Sequence, residues 1–165
     1  MGQITMENVR RAMDAVLTKN ANEVEDVYKT EQTINNMEKM LTEYLVKVNN
    51  LSLTERQKLV VNDLFYSIND IERVGDHAEN LAEQAEYMVQ HNISFSETGE
   101  SDLHVICETA FNSFKHSINA RQKGDMDDVR KVSQYEDEVD TLEEELREKH
   151  IERLSAGKCD PSAGV

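Results

Sequence analysis

IERVGDHAEN, residues 71–80, is the stretch on which the reading of this chain turns. It sets Glu72 and Asp76 four apart in a strongly helical run, with Asn69 and Arg73 beside them. Residues four apart share a helix face. One face then carries two carboxylates, an amide and a guanidinium at the border of an apolar stripe. That is what a helix needs in order to offer hard, oxygen-preferring metal ions a partly sheltered set of ligands.

The sequence around this stretch is helical throughout. One proline, six glycines and 31% charged residues leave little turn chemistry for a sheet, and the expected fold class is all-α. Five segments carry apolar residues at helical spacing. The first runs from about Thr5 to Lys19 on Met6, Val9, Met13, Val16 and Leu17. A capping box at Asn20-Ala21-Asn22-Glu23 opens the second, whose stripe is Val24, Val27, Ile34, Met37, Leu41, Leu45 and Val48. A second box, Ser52-Leu53-Thr54-Glu55, opens the third, which carries Val60, Leu64, Ile68, Ile71, Ala78, Leu81 and Ala85 as far as about His91. A linker is expected from Asn92 to Glu100. The fourth helix follows on Leu103, Cys107, Ala110, Phe111, Phe114 and Ile118. Asp125 caps the fifth, which continues to about Leu154 and ends at Gly157. Asp160-Pro161 then reads as the start of a sixth helix, and the final residues to Val165 read as a cut rather than a natural stop.

The pattern repeats. A shift of 105 residues takes Met6 to Phe111, Val9 to Phe114, Asn20 to Asp125, Val27 to Val132, Glu31 to Glu136, Ile34 to Val139, Asn35 to Asp140 and Leu41 to Leu146. Apolar positions, caps and acids keep register, which predicts an internal duplication. Each unit is an up-down three-helix element, residues 1–95 forming the first and 96–165 a second that holds two helices and a stub of its third.

The acids fall on repeated flanks. With Ile68 as origin, Glu72 lies at roughly 40°, Asp76 at roughly 80° and Asn69 at roughly 100°. With Ile34 as origin, Glu38 lies at roughly 40°, Glu31 at roughly 60° and Asn35 at roughly 100°. Glu136, Asp140 and Glu143 surround Val139 in the same way. Neighbouring helices would bring four or more carboxylates together, which is unfavourable unless something positive sits among them. Arg73 is one candidate for that charge and metal ions are another. The blander reading is a set of solvated bundle flanks. Cys-x-x-Cys, His-Glu-x-x-His, EF-hand and Glu-x-x-His motifs are all missing. The ligands are therefore all oxygen, which favours Fe, Mn, Mg or Ca and admits Zn. His77 points roughly 100° away from Asp76 and reads as an outer hydrogen-bonding residue. His91, His104, His116 and His150 read as ordinary exposed residues, and Gly75 as a place where helices approach closely or where room is left beside the acids.

The net charge of -15 excludes nucleic acid as a partner. Cys107 and Cys159 do not form a disulfide framework and fit a reducing compartment. No apolar run approaches the roughly 20 residues that span a bilayer. There is no nucleophile–base pair and no phosphate-cradling glycine loop, so the chain is read as not an enzyme.

The stretch NDIERVGDHAENLAE, residues 69–83, resembles the signature of PhoU-like domains, and the doubled three-helix layout matches as well. TEYLVKVNNLSLTE at 42–55 and LREKHIERLSAGKCDPSAGV at 146–165 resemble the C-terminal PhoU-like region of bacterial type II sodium/phosphate cotransporters. The resemblance implies a domain at the cytoplasmic face of the membrane, following the transporter region of the same protein, that binds multinuclear iron or zinc and regulates phosphate uptake. Carried over by position, Glu31 with Asn35 fills one motif, although Asn35 stands where the family usually has Asp. Glu72 with Asp76 and Glu136 with Asp140 fill two more, and Asn69, Arg73 and His77 support them. The missing sixth helix should leave an apolar groove, which a second chain is expected to cover as a homodimer. The alternative function is a helical interaction or dimerisation module with no bound metal.

Overall fold

Helices take up most of the residues that the computed structural model describes, which are 1–20, 22–160 and 162. They are α1 (Gly2–Thr18), α2 (Val24–Asn49), α3 (Glu55–Gln90), α4 (Glu97–Lys123) and α5 (Met126–Ser155), with no strand among the described residues. The expected all-α class and the five-helix order are both observed. Of the sixth-helix start predicted at Asp160-Pro161, residue 161 lies outside the described set, as do 163–165.

Three boundaries differ from expectation, each for a local reason. The box at the start of α3 is Thr54 with Gln57, not Ser52 with Glu55. The Thr54 hydroxyl accepts from the Gln57 amide, while the Gln57 side chain accepts from the Thr54 amide at 2.9 Å. Leu53, just before this cap, packs on the Leu45, Val61 and Ile68 cluster, which fixes where the helix can begin. The box expected at Asn20–Glu23 is instead a turn. Asn20 Oδ1 accepts from the Asn22 amide at 3.2 Å, the local bond asparagine prefers. Helix α2 therefore opens at Val24 with no side-chain cap. The Ser96 hydroxyl accepts from the Gly99 amide at 3.1 Å, so α4 begins at Glu97 and the linker is shorter than expected. Between α4 and α5, Gly124 takes a left-handed φ of 68° and Asp125 caps as expected.

Helix α1 is packed against α2, α3 and α4. Of the expected stripe, Val9, Met13 and Val16 are buried while Met6 and Leu17 are half-buried, and burial extends to Thr5, Asn8, Ala12 and Ala15. Asn8 offsets its own burial by donating to the Val27 carbonyl at 3.1 Å. Leu103, Cys107, Ala110, Phe111 and Phe114 of α4 cover the other side of this core. Arg10 lies 3.7 Å over the Phe111 ring and pairs with Glu108. The far half of the α2–α3 hairpin holds a smaller core of Leu45, Val61 and Ile68. Val60 is 51% exposed and is not part of it. It lies roughly 80° from Ile68, whereas Val61 lies at roughly 20°.

Helix α5 packs chiefly on α4. Of its residues only Asp128 is buried. Asp128 meets His116 at 2.6 Å, and His116 stacks on Tyr135 with ring centres 5.6 Å apart, so His116 is not the exposed residue expected. The open side of α5 forms one wall of a groove of about 470 Å³, lined by Leu81, Met88, Phe95, Leu103, Ile106 and Leu146. Among the described residues, no helix is long and apolar enough to cross a membrane.

Candidate metal centre

Helices α2 and α3 form an antiparallel hairpin, and their facing residues run in opposite order. The Tyr28 hydroxyl donates to Glu86 at 3.4 Å, and Ile34 lies against Gly75. Gly75 leaves the room that this contact needs. A methyl group on its Cα would stand 3.3 Å from Ile34 Cγ2 and 3.7 Å from Glu31 Oε1. The missing side chain lets the two helices close, as the sequence suggested, and it brings Glu31 of α2 against the acid row of α3.

The result is a cluster of Glu31, Asp76 and Glu79, whose carboxylate oxygens can all lie within 4.8 Å of one another. Glu31 is only 2% exposed. Its Oε2 accepts a hydrogen bond from Asn35 Nδ2 at 2.7 Å. Its Oε1 is buried and has no partner among the described residues. Burial, and then the charges of Glu79, Asp76 and Glu72, push the Glu31 carboxyl above the usual carboxylate range. Burial followed by Asp76 and Glu38 does the same to Glu72, against a smaller opposing influence of Arg73. A buried carboxylate with an unpartnered oxygen and two further carboxylates nearby is costly in isolation.

The residues predicted from sequence divide into four groups. Glu31, Asn35 and Asp76 converge. Glu72 is half-buried but outside the close cluster, next along α3 toward Glu38. Arg73, Asn69 and His77 are exposed; Arg73 forms no ion pair among the described residues, and none of the three has a hydrogen bond to the cluster. Arg73 is thus not the buried counter-charge the sequence allowed for. Glu136 and Asp140 are exposed on α5, with no clustered acids around them among the described residues. The residue that sequence reasoning missed is Glu79. Its signal was available, because eleven residues beyond Ile68 the helix returns to roughly 20° from the apolar stripe, closer than Glu72 or Asp76.

The donor set suits a hard divalent cation. Opposite oxygens around an ion with bonds of about 2.1–2.4 Å stand about 4–5 Å apart, which matches the spread of the three carboxylates. Bound there, a cation would supply Glu31 Oε1 with its absent partner. Glu31, Asp76 and Glu79 are the residues that would hold it.

The family model of the PhoU domain matches residues 1–85 and 103–163. The chain is 26% identical over 151 residues to the phosphate-specific transport system accessory protein PhoU homolog of Pseudomonas putida, covering 85% of this chain and 54% of that protein. It is 23% identical over 162 residues to PhoU homolog 1 of Thermotoga maritima, covering 93% and 66%. The chain thus spans between 54% and 66% of the length of these relatives. The crystal structure of PhoU from Pseudomonas aeruginosa superposes with a TM-score of 0.86 at 22% identity, over 96% of this chain and 76% of that one.

Proposed function

Because the chain belongs to the PhoU domain family, we propose that it is a metal-responsive accessory domain that regulates phosphate transport and catalyses no reaction. The relatives named above are accessory proteins of phosphate-specific transport. The observation that carries the metal-responsive part is the buried Glu31 carboxylate, one of its oxygens unpartnered, clustered with Asp76 and Glu79. An ion there ties α2 to α3, so its arrival or loss changes how firmly the hairpin is held. Iron or zinc is the occupant suggested by the family resemblance, while Mn, Mg or Ca suit the oxygen donors equally well.

The transporter it acts on, in this reading, is a sodium-dependent phosphate transporter whose membrane region belongs to the same polypeptide, with this domain at its cytoplasmic face. Residues 42–55 and 146–165 support that assignment through their likeness to such proteins. Residues 1–95 and 96–165 act as two repeats, the second carrying a further acidic pair in Glu136 and Asp140. The test uses cells that lack the gene and carry an empty vector, the wild-type gene or its Glu31→Ala variant. The wild type is expected to restore the fall in phosphate uptake at high external phosphate, and the variant is not. Equal uptake in all three overturns the proposal.

The open apolar groove favours self-association. Two copies presenting the same α4–α5 face make an isologous interface. Light scattering on the purified chain should give twice the chain mass, and Leu146→Glu should return it to the monomer mass. A wild-type monomer at micromolar concentration removes this part of the reading.

A further inference from the structure

We propose that the free end of the α2–α3 hairpin, residues 44–60, docks end-on on the surface of an anionic lipid bilayer, with Leu51 leading. This is independent of the metal reading and needs no ion at the acid cluster.

The fold leaves this end uncovered. Helix α1 has 17 residues, about 25 Å, against about 54 Å for the 36 residues of α3. Met1, just before α1, packs on the Leu45, Val61 and Ile68 cluster. Past that level the hairpin runs on alone to its turn. Leu45 and Val61 face inward there and are buried. The remaining apolar side chains are not. Leu51 is 64% and Leu59 66% exposed, and Tyr44, Val46 and Val60 are exposed as well. They are spread round the hairpin. With Ile34 as origin, Tyr44 lies roughly 80° to one side of the inward face of α2 and Val46 roughly 120° to the other. With Ile68 as origin, Leu59 lies at roughly 180° on α3. A protein partner calls for an apolar patch on one side, whereas apolar residues on every side suit a medium that closes round the tip. Tyr44 and Val60 stand about 8 Å back from the ends of their helices, within the roughly 5–10 Å to which apolar faces enter the boundary between headgroups and acyl chains.

Charge selects the kind of bilayer. Residues 44–60 hold Lys47, Arg56 and Lys58 against the single acid Glu55, a net charge of +2 in a chain of -15. Lys58 pairs with Glu55 at 2.8 Å, while Lys47 and Arg56 form no ion pair among the described residues. The other basic stretch, Lys115 to Lys123, is followed at once by Asp125, Asp127 and Asp128, which cancel it. Long basic side chains lay their stems along apolar surface and hold their charges at headgroup level. The acids set the orientation. Glu43 and Asp63 lie about 9–12 Å from the tip and Asp76 about 31 Å, while physiological salt screens charge over about 8 Å. An end-on approach offers an anionic surface a positive, apolar tip and keeps most of the negative charge out of range. A side-on approach would press the acid rows against it.

The experiment floats the purified chain with vesicles of phosphatidylglycerol and phosphatidylcholine in equal parts, beside vesicles of phosphatidylcholine alone. The wild type is expected to bind the anionic vesicles at least roughly tenfold more tightly than the neutral ones, and to leave them as salt is raised. Lys47→Glu with Arg56→Glu should weaken that binding at least roughly tenfold, and Leu51→Asp should do the same. Lys149→Glu with Lys158→Glu, the same change of charge near the end of α5, should not. The chain has no tryptophan, so Leu51→Trp places a single indole at the tip. Its emission should shift to the blue on anionic vesicles and be quenched by brominated acyl chains. Wild type that stays off the anionic vesicles overturns the proposal and leaves the tip to a protein partner, with the phosphate-transport reading untouched. Equal loss in the two double variants, or an unshifted indole on vesicles that carry the protein, also overturns it, since either places the contact elsewhere. The wild-type flotation and the indole emission decide the matter even if a charge-reversed variant does not fold.

Discussion

Chelator-stripped protein at pH 7.5, given Mn²⁺ at about a hundred times its dissociation constant, is expected to gain about 2.7 kcal/mol of stability, or about 5–10 °C in melting temperature. Glu31→Gln should gain almost nothing. Without the ion, the wild type carries a nearly inaccessible carboxylate, one oxygen of it unpartnered, clustered with Asp76 and Glu79. The neutral amide introduced by Glu31→Gln removes that charge and with it the principal ligand. The same pair of proteins shows the effect of pH. The Glu31 carboxyl is raised by burial and neighbouring acids, so the folded state holds its proton where the unfolded chain has released it. The stability from this group is complete below the ordinary carboxylate range and is lost as pH rises through the raised value. Metal-free wild type should therefore lose more stability than Glu31→Gln between pH 5 and pH 7.5. Glu72 is shifted in the same direction but is present in both proteins, so the difference isolates Glu31. Equal Mn²⁺ stabilisation of the two proteins would remove Glu31 from the centre.

Ile34→Ala should cost about 3 kcal/mol in urea unfolding, as expected for a fully buried isoleucine. Gly75→Leu should cost about 1–2 kcal/mol, since overpacking at the helix crossing outweighs the better helix propensity of leucine. Combined, the two changes should cost at least 1 kcal/mol less than their sum, because the new side chain enters the space Ile34 vacated. Ile34 Cγ2 lies 3.3 Å from where a Gly75 methyl would be, close enough to couple the two sites. Strict additivity would mean that the crossing is not held by this pair. Either single variant should also weaken Mn²⁺ binding, since the same contact sets the distance from Glu31 to Asp76.

The helices and their order were legible in the sequence because apolar spacing alone carries them, and burial follows that spacing wherever a helix has a neighbour on one side. It fails where packing departs from that arrangement. Helix α1, surrounded by three others, buries Thr5 and Asn8, which no apolar stripe would select. Helix α5, covered mainly by α4, leaves Val129 45% exposed although it matches the buried Val24 by position. Helix starts were misplaced by a few residues because several Ser, Thr and Asn side chains compete for each cap, and tertiary contacts such as that of Leu53 decide between them. For the centre, the face-sharing of Glu31 and Asp76 was readable from helical angles. Which α3 acids meet α2 was not, because it depends on the axial register of the hairpin, and that register is set by the contact between Ile34 and Gly75. The register favours Glu79 over Glu72.

Helix α3 runs unbroken from Glu55 to Gln90, with the hairpin tip at one end, the wall of the groove at the other, and Asp76 a little past its midpoint. Mechanically it is a beam clamped near the middle. A rotation of about 5° at the clamp sweeps the ends of this roughly 54 Å beam through about 2 Å in opposite directions. Loosening a single ionic grip would thus be felt at both extremities at once, in a chain that needs no hinge to carry the movement.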